Sequence, residues 1–181
     1  QNIAVENNGV SILNGDLIPV PWDGTNFGNA EIGGASVQHT FTIENTGDAQ
    51  LGLTGTSLVE ITGENADDFT VTAQPANTIN GGATTTFTIE FSPSASGLRT
   101  AAVSILSDDP DDGEFTFAIQ GYGDEPPAEQ EISVSGNATT ILDGDSTPST
   151  DNGTDFGSAV IGGASAQATF TIENTGDETL I

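Results

Sequence analysis

The stretch TFTIENTGD, Thr40–Asp48, decides the fold, and it occurs twice, returning unchanged as Thr169–Asp177. Around the first occurrence, Val37, His39, Phe41 and Ile43 fall on one face, and Gln38, Thr40, Thr42 and Glu44 fall on the other. That two-residue alternation is the signature of a strand with one buried and one wet face. The run closes on Asn45-Thr46-Gly47-Asp48, residue types that favour a tight turn.

The same period continues away from this stretch. Phe87, Ile89 and Phe91 alternate with Thr86, Thr88 and Glu90, and Phe115, Phe117 and Ile119 alternate with Thr116, Ala118 and Gln120. Val103 with Ile105, and Phe69 with Val71, repeat the pattern. Turn residues separate the runs at Asn80-Gly81-Gly82, Pro93 to Gly97 and Asp108 to Gly113. The nearest helical candidate is GENADDF, Gly63 to Phe69, good for one short turn. About seven or eight strands with turns at this spacing predict an all-β chain folded as an antiparallel β-sandwich.

The repeat extends well beyond its longest shared block. Residues 1–52 return as 130–181, a shift of 129, with 30 of the 52 pairs identical. Copying a unit of this size builds length or valency rather than one active centre. The sequence divides into a complete repeat at 1–123, a Pro-rich linker at 124–130 (DEPPAEQ), and the first strands of a second, incomplete repeat at 131–181. Pro126-Pro127 favours an extended, stiff connection. Two completions of the second repeat are open at this point. One is further sequence beyond Ile181; the other is strand donation by another subunit, which would build a head-to-tail filament.

Charge removes several function classes. The chain has 27 Asp and Glu, one Lys or Arg (Arg99), and a formal net charge of -26. Nucleic-acid binding through phosphate neutralisation is excluded, and anionic membrane surfaces are repelled. No apolar run reaches the length of a membrane span. There is no Cys, so disulfides and thiol chemistry are absent. Nucleophilic triads lack their parts, because His39 is the only histidine and there is no Lys.

Longer stretches carry a family resemblance. They are TNFG at Thr25–Gly28 and TDFG at Thr154–Gly157, TFTIENTGD in both copies, ADDFTV at Ala66–Val71, FTIEFSPSASGLRTAAVSI at Phe87–Ile105, and FTFAIQGYG at Phe115–Gly123. Together they resemble the bacterial choice-of-anchor D repeats, within the wider Hydin-like (ASH) group of immunoglobulin-like domains. The resemblance implies tandem immunoglobulin-like sandwiches in a large, secreted or cell-surface bacterial protein. It brings no catalytic residues, and an enzyme is not expected.

Carboxylates crowd into three loops, and hard oxygen ligands of this kind suit calcium. Asp108, Asp109, Asp111, Asp112 and Glu114 lie within seven residues. Asp143, Asp145, Asp151 and Asp155 form a second group with Asn152, and Glu64, Asn65, Asp67 and Asp68 a third. Calcium is the candidate cofactor; the simpler reading is an acidic turn that caps its own backbone. Trp22 is the candidate binding residue, since copy one reads LIPVPWD at Leu17–Asp23 where copy two reads STPSTDN. Gly33-Gly34 and Gly162-Gly163 read as turns. Asn137-Ala138-Thr139 and Asn152-Gly153-Thr154 fit the N-glycosylation pattern.

The expected function is structural and extracellular, with repeats forming a rod, stalk or filament and with copies of the chain itself as partners. The alternative is an adhesin or a glycan- or protein-binding module acting through Trp22.

Overall fold

The predicted strand around TFTIEN is nine residues long, Val37–Asn45, and its inward side chains Phe41 and Ile43 are fully buried. It belongs to a computed structural model that describes residues 1–181, which divide into two units, Gln1–Pro126 and Pro127–Ile181.

The first unit contains eleven strands: β1 (Ile3–Asn7), β2 (Val10–Ile12), β3 (Asn26–Glu31), β4 (Val37–Asn45), β5 (Leu51–Gly52), β6 (Glu60–Thr62), β7 (Phe69–Ala73), β8 (Thr78–Ile79), β9 (Thr84–Phe91), β10 (Gly97–Leu106) and β11 (Glu114–Asp124). One sheet has the order β2-β1-β4-β9-β7 and the other β3-β11-β10-β6, while β5 and β8 form a separate ribbon. The pairing is antiparallel except between β3 and β11, which run parallel. Eleven exceeds the seven or eight expected from the sequence; seven of them have five residues or more. The other four have two or three, too few to show a period. The short turn expected in GENADDF is a 3-10 helix at Ala66–Asp68. A second one, Pro21–Asp23, has no apolar period to announce it.

The two sheets bury their inner faces against each other. Phe41 from the first sheet meets Phe117 from the second with ring centroids 5.7 Å apart. Phe27 on β3 packs edge-on to Phe69 at 5.6 Å, and Phe41 stacks on Phe87 at 5.2 Å. Each such ring contributes about 1.5–3 kcal/mol through burial. Outward residues of the same strands, such as Gln38, Thr40 and Thr86, are exposed. This is the alternation of a two-sheet sandwich.

The second unit repeats the opening of the first. Strands β12 (Ile132–Gly136), β13 (Thr139–Ile141) and β14 (Phe170–Asn174) form one sheet, ordered β13-β12-β14. Its register is inherited: Ile132 pairs with Asn174 as Ile3 pairs with Asn45. The counterpart of β3, residues 155–160, is not a strand. In the first unit β3 pairs only with β11, and no counterpart of β11 lies between 130 and 181. The same reasoning shortens β14. The part of β4 that pairs with β9 alone has lost its partner, and only the part paired with the first strand persists.

All eight buried hydrophobics of residues 1–52 are identical in the second copy: Ile3, Val5, Ile12, Phe27, Ala30, Phe41, Ile43 and Leu51. Their counterparts Ile132, Phe156 and Ile172 are 56%, 55% and 67% exposed. The second unit therefore carries core residues for a sandwich whose covering strands are not among these residues.

Candidate functional site

The acidic loop between β10 and β11 resolves into separate tasks. Asp109 is buried, and its carboxylate accepts from the Ile3 N–H at 2.8 Å and the Asp111 N–H at 3.0 Å. Asp108 Oδ1 accepts from the Gly52 N–H at 2.9 Å. Asp112 Oδ1 accepts from Asn14 Nδ2, and Glu114 Oε1 from Ser104 Oγ, each at 2.8 Å. Asp111 is exposed. The loop thus ties β1, β5 and Asn14, two residues past β2, to the β10–β11 hairpin. Burial pushes the Asp109 carboxyl up, but the amide donors of Ile3, Asp111 and Asp112 outweigh it, and the group titrates below the ordinary range.

In the second acidic group, Asp145 Oδ1 accepts from the Thr147 N–H at 2.9 Å and Asp155 Oδ1 from the Gly157 N–H at 2.8 Å. Asp143 and Asp151 are exposed. In the third, Asp68 is buried against Arg99 while Asp67 and Glu64 are exposed. No group of three or more His, Asp or Glu side chains comes together with metal-binding geometry. His39 is engaged as well: its Nδ1 lies 2.7 Å from the Gly24 carbonyl oxygen, and its ring stacks on Phe27 at 4.4 Å. The two glycosylation patterns differ in access, with Asn137 exposed and Asn152 buried.

Trp22 stands on the excursion between β2 and β3. Asp16 Oδ1 accepts from the Ile18 N–H at 2.9 Å, and Thr25 Oγ1 accepts from the Val20 N–H at 2.9 Å. Buried Asp23 accepts from both the N–H and the hydroxyl of Thr25, at 3.0 and 2.6 Å. These bonds settle the backbone polar groups locally, and the loop's large side chains point out. Leu17 is 80%, Ile18 74% and Trp22 69% exposed.

The second copy builds the same loop without those side chains. Asp145 holds Thr147, Thr154 Oγ1 holds Ser149, and Asn152 Oδ1 holds Thr154 through its N–H and hydroxyl at 3.1 and 2.6 Å. At the positions of Leu17, Ile18 and Trp22 it carries Ser146, Thr147 and Asp151. The loop's conformation therefore does not require apolar side chains. They are a property of the first copy's surface.

The fold and its surface define an immunoglobulin-like sandwich repeat that presents loops on a common scaffold. Residues 20–122 match the HYDIN/CFA65/VesB-like, Ig-like domain family, and the chain belongs to that family. No curated protein matches the chain. Several solved structures are similar to it. A protein of unknown function from Porphyromonas gingivalis W83 shares 16% identity at a TM-score of 0.46, covering 66% of this chain and 46% of its own. The VesB protease of Vibrio cholerae shares 15% identity at a TM-score of 0.40, covering 60% and 30%. The ASH/PapD-like domain 7 of human CEP192 shares 16% at a TM-score of 0.41, covering 70% and 87%. The chain spans less than half the length of the first two.

Proposed function

We propose that this chain is part of an extracellular bacterial structural protein, in which tandem Ig-like repeats related to the choice-of-anchor D type form a rod, stalk or filament. One observation carries the reading. All eight buried hydrophobics of residues 1–52 recur identically in the second copy, while exposed positions such as Trp22 and Asp151 differ. Complete retention of the core, against identity at 22 of the other 44 positions, fits a unit repeated for its scaffold. The proline pair at 126–127 favours extension between repeats. An acidic surface of net charge -26 keeps a long array soluble. The partners are further copies of the repeat. Electron microscopy of the native protein tests the reading: rods or filaments are expected, and isolated compact particles would sink it.

A second reading has its own support. The exposed Leu17, Ile18 and Trp22 on a loop that the second copy builds with polar side chains favour an adhesive contact with a glycan or a host surface protein. A glycan and surface-protein array probed with the intact chain and with Trp22→Ala tests it. Binding lost in the variant is expected, and an array with no hits for the parent chain would end this reading.

A further inference from the structure

A hollow of about 330 Å3 lies on the outer face of the second sheet, lined by Asn26, Asn29, Leu98, Gln120 and Tyr122 with Gly28 and Gly121. The register fixes its layout. Tyr122 on β11 pairs with Leu98 on β10 and with Asn29 on β3, and Gln120 pairs with Asn26. The register of β3 against β11 shifts between Gln120 and Tyr122. Gly28, at φ +72°, occupies this irregularity and leaves open space where a side chain would stand. Asn26 Oδ1 accepts from the Gly28 N–H at 2.9 Å, which holds the bulge and leaves the Asn26 amide NH2 group for a ligand.

The chemistry of the lining is distinctive for this chain. No residue of the hollow is charged, although 27 of 181 residues are acidic. The neighbouring Asp124 carboxylate is engaged by Asn29 Nδ2 at 3.0 and 3.1 Å. Tyr122 is 46% and Leu98 57% exposed, so an aromatic and an aliphatic side chain stand together with three primary amides around them. We propose that this hollow binds a neutral oligosaccharide. A sugar ring offers an apolar C–H face to Tyr122 and Leu98, and vicinal hydroxyls that both donate and accept, as an amide does. Nucleic-acid bases also stack on tyrosine, but their phosphates would be repelled by a surface of this charge. An extended peptide would pair with the open edge of β3, in the plane of the sheet and not over Tyr122 and Leu98 on its face. The site lies on different strands from the Trp22 loop and does not depend on that contact. The second copy keeps the local bond, with Asp155 Oδ1 accepting from the Gly157 N–H, but there it lies outside any strand, and Asp155 and Ser158 stand where the first copy has Asn26 and Asn29. The sugar site belongs to the first copy.

The test uses the intact chain with cello-, chito-, xylo- and manno-oligosaccharides as neutral probes, and oligogalacturonate as the anionic one. Tyr122 is the only tyrosine, so its ring resonances report on the hollow without assignment ambiguity. At least one neutral probe is expected to shift them saturably. Tyr122→Ala should weaken binding about tenfold or more, and Gln120→Ala should weaken it with the strand content unchanged. The proposal is overturned if no neutral probe moves the Tyr122 ring, if binding survives both substitutions, if oligogalacturonate binds as tightly, or if Trp22→Ala alone abolishes binding.

Discussion

Arg99 and Asp68 form an ion pair that joins β10 to the 3-10 helix preceding β7, and it consumes the chain's only Lys or Arg side chain. The Asp68 side chain is 1% exposed, and its other oxygen accepts from the Ser94 N–H at 3.0 Å. The single cation of a chain bearing 27 acids is thus spent on the one carboxylate of GENADDF that folding buries. Burial raises the Asp68 pKa, and the bonds from Ser94 and Arg99 outweigh it, leaving the group below its ordinary value. Removing one partner strands a buried charge, a loss of about 3 kcal/mol. Arg99→Ala should lower unfolding stability by that order in urea titration, and a variant as stable as the parent would contradict it.

The same pair gives a pH signature. A carboxyl whose folded pKa is depressed adds stability above its unfolded pKa of about 3.9, and loses it as pH falls through the folded value. General relief of acid–acid repulsion acts on the parent and on a neutral variant alike. The stability difference between the parent and Asp68→Asn should therefore be full at pH 6 and shrink below about pH 4. A difference that stays constant down to pH 2 would remove this role for Asp68.

Asp109 makes a parallel case in the acidic loop. Its carboxylate is the anchor of the first strand through Ile3, and asparagine there would have to present its NH2 group to one backbone donor. Asp109→Asn should cost about 2 kcal/mol and raise hydrogen exchange at the Ile3 amide before that of the core strands. Asp111→Asn, two residues on and exposed, should leave both unchanged. Equal effects from the two substitutions would show that the loop acts through its summed charge instead.

Those five acids also show where sequence reading stops. The strands were legible because burial writes a two-residue period, as in Phe87, Ile89 and Phe91, and the duplication made TFTIENTGD self-confirming. Direction of a loop carboxylate leaves no such trace. Asp109 turns inward to Ile3, which lies 106 residues earlier, while Asp111 faces water, and nothing in SDDPDDGE distinguishes them. Trp22 stood out through its absence from the second copy, whereas its exposure is visible only in the structure. The Tyr122 hollow was not, because its layout depends on the parallel pairing of β3 with β11, across more than ninety residues of sequence.

The loop carrying Trp22 allows the second copy to serve as a design. Replacing Leu17 by Ser, Ile18 by Thr and Trp22 by Asp reproduces side chains that the same backbone already accepts at 146, 147 and 151. Stability should change by no more than about 0.5 kcal/mol, as for surface positions away from special contacts. Any adhesive contact made by the loop should be lost together with the apolar surface. A fall in melting temperature of ten degrees or more would mean that the three side chains pack against the sandwich, against their exposure.

Gly121 tests the core beneath the Tyr122 hollow. It lies on β11 between outward Gln120 and outward Tyr122, so a side chain there would point inward. A Cβ would overlap the ring of Phe91, which is fully buried and stacks on Phe69 at 4.8 Å. Phe27 also packs against this ring, with centroids 6.1 Å apart. Gly121→Ala should therefore destabilise the first unit by about 1–3 kcal/mol, the usual penalty for overpacking. Pairing it with Phe91→Leu, which vacates the overlapped volume, should cost less than the sum of the two single changes. Strict additivity in that double-mutant cycle would show that the alanine acts through the backbone and not through Phe91.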